Sequence, residues 1–112
     1  MEPDPELNRW TNLVIGAAIE VHREVGAGFP ESTYQRALEH ELSLRGVPFT
    51  RQVPFAVKFK GVVVGEGRMD FLIADRVIVE IKSVEAISPV HVAQAIAYLR
   101  ATKHRLCLLI NF

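Results

Sequence analysis

Between Leu7 and Val25 apolar residues recur at helical spacing, at Trp10, Leu13, Val14, Ala17, Val21 and Val25, which predicts one amphipathic helix. Gly26 and Gly28 stop it. Pro30 opens a second helix with a stripe of Tyr34, Leu38 and Leu42, ended by Gly46 with Pro48 beyond. The period then drops to two. Val53, Phe55, Val57 and Phe59 alternate with Pro54, Ala56 and Lys58, and Lys60-Gly61 reads as a turn into Val62, Val63 and Val64. Gly65 and Gly67 suggest a bulge before Arg68–Ile73. After a short turn, Val77–Lys82 is the next strand. Ser88-Pro89 is an N-cap with proline at the first helical position, and that helix runs to about Thr102. Leu106-Cys107-Leu108-Leu109-Ile110 is a continuous apolar run, the pattern of a strand buried on both faces.

The order helix, helix, three strands, helix, strand predicts an α/β fold. The three consecutive strands pair as an antiparallel meander, and the last strand, reached through a helix, adds in parallel at the other side of the sheet. Helices then cover both faces. Residues 7–112 form the single domain, and residues 1–6 are expected to be a disordered N-terminus.

The turn Ala74-Asp75-Arg76 decides the register of its two strands. It sets Ile73 against Val77, Phe71 against Val79 and Met69 against Ile81, three apolar pairs on one face. In that register Asp70 lies opposite Glu80 on the other face, with Lys82 two residues on. A shorter turn would set Asp70 against Val79. Directly opposed residues have β-carbons about 5 Å apart, a separation at which two like charges destabilise a sheet unless something neutralises them. A divalent cation is the natural remedy, since Mg²⁺ accepts one or two carboxylates and keeps its waters for a substrate phosphate. Lys82 could orient or deprotonate an attacking water and stabilise developing charge. The competing reading makes Glu80 and Lys82 a solvated ion pair on an edge strand, worth about 0–1 kcal/mol. The flanks Val77-Ile78-Val79 and Ile81 favour a central strand instead.

Three more residues lie where such a site would want them. Glu31 falls on the inward stripe of its helix although it is charged; as an exposed first-turn acid it would merely complement the helix dipole. Gln94 and Tyr98 are one helical turn apart and share a face, as an ordinary polar–aromatic surface pair or as groups holding a phosphate or a metal-bound water. His22 borders the stripe of the first helix, as a satisfied core histidine or as a ligand. His91 and His104 look peripheral.

Composition narrows the function classes. The chain has 112 residues, 49% hydrophobic and 23% charged, enough for one core and no separate specificity domain. Its lone cysteine, Cys107, allows no internal disulfide and no cysteine-ligated cluster. The formal net charge is zero, but residues 1–50 carry four Arg against eight Asp/Glu and residues 51–112 carry nine Lys/Arg against five. A basic face is therefore compatible with nucleic-acid binding that is modest and salt-sensitive. The acidic N-terminus is unlike a signal peptide and no apolar stretch reaches the roughly 20 residues of a membrane span, so a cytoplasmic setting is expected.

Asp70, "VEIK" with Glu80 and Lys82, and "QAIAY" with Gln94 and Tyr98 together resemble the core of the PD-(D/E)XK nuclease superfamily in its RecB-like form. "GFPESTYQRAL" at residues 28–38, "IEVHREVG" before it and "LLINF" at the end are similar to the small prokaryotic GxxExxY protein family, whose name is matched by Gly28, Glu31 and Tyr34. The resemblance implies a restriction-endonuclease-like αβββαβ core with a mixed central sheet flanked by helices. It implies Mg²⁺ or Mn²⁺ held by Asp70, Glu80 and the Ile81 carbonyl, with Glu31 as the upstream acid, Lys82 as the catalytic lysine and Gln94 with Tyr98 as the accessory motif. His22 would match the histidine that some RecB-like enzymes use as an extra ligand. The implied activity is phosphodiester hydrolysis in DNA. Met69 stands where the superfamily's nominal proline would be, and related sequences tend to continue beyond Asn111-Phe112, so part of a final strand or an oligomer contact is expected outside this chain. A homodimer or a protein partner would then complete the substrate surface. The alternative is a non-catalytic nucleic-acid-binding or protein-interaction module on the same fold.

Overall fold

The computed structural model describes residues 4–112. Helix α1 (Pro5–Val25) starts at Asp4, whose carboxylate accepts the N–H groups of Glu6 and Leu7 at 3.0 and 3.2 Å, two of the donors that a helix start leaves open. Of the N-terminus expected to be disordered, residues 1–3 lie outside the described residues, whereas Pro5 and Glu6 form the first turn of α1. The earlier start has a non-local cause. Arg76 pairs with Asp4 at 2.7 Å and with Glu6 at 2.8 Å, contacts that no periodicity within α1 can reveal.

Helix α2 (Glu31–Leu44), strands β1 (Phe49–Phe59), β2 (Val62–Ile73) and β3 (Val77–Lys82), helix α3 (Pro89–Thr102) and strand β4 (Leu106–Asn111) follow. The sheet order is β1-β2-β3-β4, antiparallel across the first three strands and parallel between β3 and β4. This is the mixed α/β arrangement expected from the pattern, consistent with a restriction-endonuclease-like core. Helices α1 and α2 pack over Phe71, Ile73, Val77, Val79 and Ile81, with Tyr34, Leu38 and Leu42 fully buried between them. On the other face Tyr98 and Leu99 of α3 pack over Met69, Leu72 and Ile78.

Strand β4 differs from expectation in burial alone. It stands where expected, parallel to β3 at the other side of the sheet, but Leu106–Ile110 are only half-buried and not buried on both faces. Both α1 and α3 touch it, which accounts for its apolar side chains. What stays open is one row of backbone groups, and side-chain hydrophobicity does not report that.

Lys60 and Gly61, at φ 49° and 84°, close the β1–β2 hairpin by a two-residue turn. The bulge suggested near Gly65 falls on Val64, which is left over between the pairs Val57↔Gly65 and Lys58↔Val63. Gly67 has another reason to be glycine. The Phe55 ring lies over it, and a Cβ there would sit 2.2 Å from Phe55 Cζ. Phe55 cannot swing away cheaply, because Tyr98 meets it edge-on at 4.8 Å. Gly67→Ala is therefore expected to destabilise the protein by about 1–3 kcal/mol, read as a lower urea midpoint at unchanged slope. An unchanged midpoint would show that the ring is free to move.

Candidate active site

Strands β1 and β2 both change the face they present at a single rung. Phe49, Arg51, Phe71 and Ile73 lie on the α1/α2 side, whereas Val53, Phe55 and Met69 lie on the α3 side. Strict alternation would keep residues 49, 51, 53 and 55 together. The change falls at Gln52 and Asp70. The register runs Arg51↔Phe71 and then Val53↔Met69, and the intervening rung is unpaired, with Gln52 at φ 52°.

Asp70 also leaves the ladder on its other side. The expected turn at Ala74–Arg76 is present, with Ala74 and Asp75 at φ 51° and 57° and the Arg76 N–H donating to the Ile73 carbonyl at 2.8 Å. The pairs Ile73↔Val77, Leu72↔Ile78 and Phe71↔Val79 form, and there the pairing ends. The expected pair of Met69 with Ile81 does not form, since Met69 packs with the α3-side cluster and Ile81 with the other. Carboxylates take over from carbonyls instead. The Ile81 N–H donates to Asp70 Oδ2 at 2.8 Å, and the Asp70 N–H donates to Glu80 Oε2 at 2.7 Å. Each acid is thus clamped by the backbone of the opposite strand, a tighter hold than two side chains facing each other across a rung.

The electrostatics follow from this burial. Glu80 is 4% exposed. Burial first, then the charges of Asp70 and Glu31, push its carboxyl up to about 7, against the bond from the Asp70 N–H and the charge of Lys82. Burial likewise raises Asp70, opposed by the Ile81 N–H and by Lys82 and Arg51. The Tyr98 phenol is raised by burial and then by the charges of Glu80 and Asp70, which sets it beside them. A carboxylate offers about four acceptor positions, and a single backbone N–H on each leaves most of them free. Two hard oxygen donors with acceptor positions still free suit a divalent cation of the Mg²⁺ type. Lys82 lies on the same strand and donates from Nζ to Gln94 Oε1 at 3.2 Å, so α3 fixes the ammonium beside the acids.

The loop before α2 delivers Glu31. Tyr34 donates its hydroxyl proton to the Gly26 carbonyl at 2.6 Å, accepts the Phe29 N–H at 3.2 Å and stacks on Phe112 at 4.7 Å. Gly28, at φ 106°, supplies the left-handed turn that this loop needs. Of the residues Gly28, Glu31 and Tyr34, two build the loop and the third brings its charge within reach of Glu80.

Beside Glu31 lies a network that the sequence pattern does not reveal. Gln35, 9% exposed, accepts on Oε1 from Arg51 Nη2 and from Gln52 Nε2, both at 2.9 Å, and donates from Nε2 to Glu31 Oε1 at 3.4 Å. Arg51 pairs with Glu39 at 2.6 Å and lies 5.3 Å over the Phe71 ring. The one local sign of this network is a second polar residue, Gln35, one turn after Glu31.

Other expected residues sit apart. His22 is exposed on α1, its ring 6.3 Å from Phe112. Among the described residues no three side chains of His, Cys, Asp or Glu gather closely enough to hold a metal. Asp70, Glu80, Glu31 and His22 are therefore not assembled into one such group; Asp70, Glu80 and the Ile81 backbone are joined by hydrogen bonds, and His22 stands apart. His91 accepts the Ser88 N–H on Nδ1 at 3.0 Å and so helps to start α3. Cys107 is half-buried, and burial, followed by the charges of Glu80 and Asp70, pushes its thiol up to about 12, as expected of an unreactive packing residue. Among the described residues no helix is long and apolar enough to cross a membrane.

No curated protein and no solved structure matches the chain. A family model does, over residues 8–112, and its description is the PD-(D/E)XK nuclease superfamily. The match takes in Asp70, the "VEIK" strand, the "QAIAY" helix and the Glu31 loop in one span. The chain belongs to the PD-(D/E)XK nuclease superfamily.

Proposed function

We propose that the protein is a nuclease that hydrolyses phosphodiester bonds in DNA with Mg²⁺ or Mn²⁺ held by Asp70, Glu80 and the Ile81 carbonyl. Membership of the superfamily points to nuclease-type chemistry and to divalent metal ions in general. The observation that carries the finer reading is the reciprocal clamp of Asp70 and Glu80 on each other's strands, with Lys82 fixed beside it by Gln94. When bound, the cation supplies positive charge to the phosphoryl oxygens.

The chain's own groups do the rest. Asp70 and Glu80 are held in place before any ligand arrives, so little ordering remains to be done on binding. Lys82 Nζ orients the attacking water and neutralises a non-bridging oxygen. A bond from the water oxygen to phosphorus forms as the bond to the sugar oxygen breaks; the attacking water gives up a proton to solvent, and the leaving oxygen takes one from it. Gln94 and Tyr98 steady the phosphate from the α3 side. Glu31 acts through water from the α2 side, while His22, lying against Phe112, is left out of this set.

Calorimetric titration with Mg²⁺ and Mn²⁺ is expected to give binding heat in the parent and none in Asp70→Asn, and cleavage of single- or double-stranded DNA should need the metal and vanish in the same variant. Equal heats in both proteins, with no cleavage under either metal, would overturn the proposal.

A further inference from the structure

Five arginines, Arg23, Arg45, Arg51, Arg76 and Arg105, are tied to carboxylates. Lys58, Arg100 and Lys103 have no such partner among the described residues, and all three are exposed on one cleft between the β1–β2 hairpin and α3. The cleft is about 670 Å³ and no acid lines it. Its floor includes Ala56, Ala97 and Ala101, side chains small enough for another backbone to come close. Phe55 precedes Ala56 on β1 and Tyr98 follows Ala97 on α3; their rings meet edge-on at 4.8 Å, and the charges of Glu80 and Asp70 reach the Tyr98 phenol.

We propose that this cleft binds a nucleic-acid strand, Lys58, Arg100 and Lys103 contacting successive phosphates, and feeds it past Phe55 and Tyr98 to Asp70 and Glu80. The inference rests on the nuclease reading for its ligand class. Charge selects the ligand: three unpaired cations over an uncharged floor match a polyanion with regularly spaced charges, and the apolar floor suits sugars rather than an acidic protein surface. The cations belong to two elements, so only a ligand lying in the cleft meets all of them.

The test is fluorescence anisotropy of a short labelled DNA, single-stranded in one arm and duplex in the other. It is run in EDTA, so that neither cleavage nor the metal contributes. The variant is Lys58→Gln/Arg100→Gln/Lys103→Asn, asparagine being chosen because Lys103 caps α3 at φ 65°, where asparagine is tolerated. The control is Arg9→Gln/Arg36→Gln on α1 and α2. Binding in the arm that the parent prefers should weaken at least tenfold in the triple variant. The slope of log K against log salt should fall by about 2 for a single strand, at about 0.7 for each phosphate no longer neutralised. Each single replacement should lower the slope by about 0.7, which guards against a triple variant that folds poorly. The control should bind like the parent. A parent that binds no nucleic acid in either arm overturns the cleft, whereas the nuclease reading falls only if the metal-loaded protein fails to cleave. A parent that binds, with single and triple variants matching its affinity and slope, overturns only the cleft.

Discussion

Replacing Lys82 by methionine is expected to slow DNA cleavage by roughly 10²–10⁴-fold while DNA affinity stays within about twofold of the parent. Methionine keeps most of the apolar stem and removes the ammonium that Gln94 holds at 3.2 Å. The loss should therefore appear in kcat and hardly in KM, as for an interaction made only in the transition state. Gln94→Leu leaves the ammonium present but unguided, so its loss should be smaller and have the same kcat character. A Lys82→Met protein that cleaves at the parental rate would remove the lysine from the mechanism. If no cleavage occurs in either protein and both bind DNA equally, the non-catalytic alternative stands.

The metal-free protein should be less stable at pH 8 than at pH 5. Glu80 has its carboxyl raised to about 7 in the fold from an ordinary 4.5, so between those values the native state holds a proton that the unfolded chain has lost. Stability from this group is fully present below the lower value and disappears as pH rises through the upper one. The swing is about 3 kcal/mol at 1.36 kcal/mol per unit, on the order of 10 °C in melting temperature for a domain of this size. Asp70 is raised as well and adds in the same sense. Asp4 works oppositely, its carboxyl being lowered chiefly by the Leu7 N–H and by Arg76, so a scan kept at pH 5 or above excludes it. Thermal melts in EDTA should therefore fall across this range for the parent and fall clearly less for Glu80→Gln. Excess Mn²⁺ should restore the parent at pH 8 if, as proposed, the cation binds the ionised pair. A flat profile for the parent in EDTA would mean that the carboxyls ionise without cost.

Much of this architecture is legible in local pattern. The three-residue turn at Ala74–Arg76 and the pairing of Phe71 with Val79 follow from the requirement that one face stay apolar. Met69 departs from its expected pairing with Ile81 because alternation assumes an unbroken ladder. That ladder breaks where Asp70 and Glu80 use carboxylates in place of carbonyls. The carboxylates themselves stand out because acids in an apolar run are conspicuous. Gln35, Arg51 and Gln52 do not, because their hydrogen bonds join residues 16 and 17 positions apart and each looks ordinary on its own element. The half-burial of β4 is hidden because its run of apolar side chains reports the helices above and below it and not the neighbour missing at the sheet edge.

The reciprocal clamp also gives the protein its own reporters. The amide protons of Asp70 and Ile81 point into the lone pairs that a cation would claim. Any change in charge on Glu80 or Asp70 must therefore move those two backbone resonances directly. In a nitrogen–proton correlation spectrum the occupancy of the site becomes readable residue by residue, without substrate, and for each acid separately.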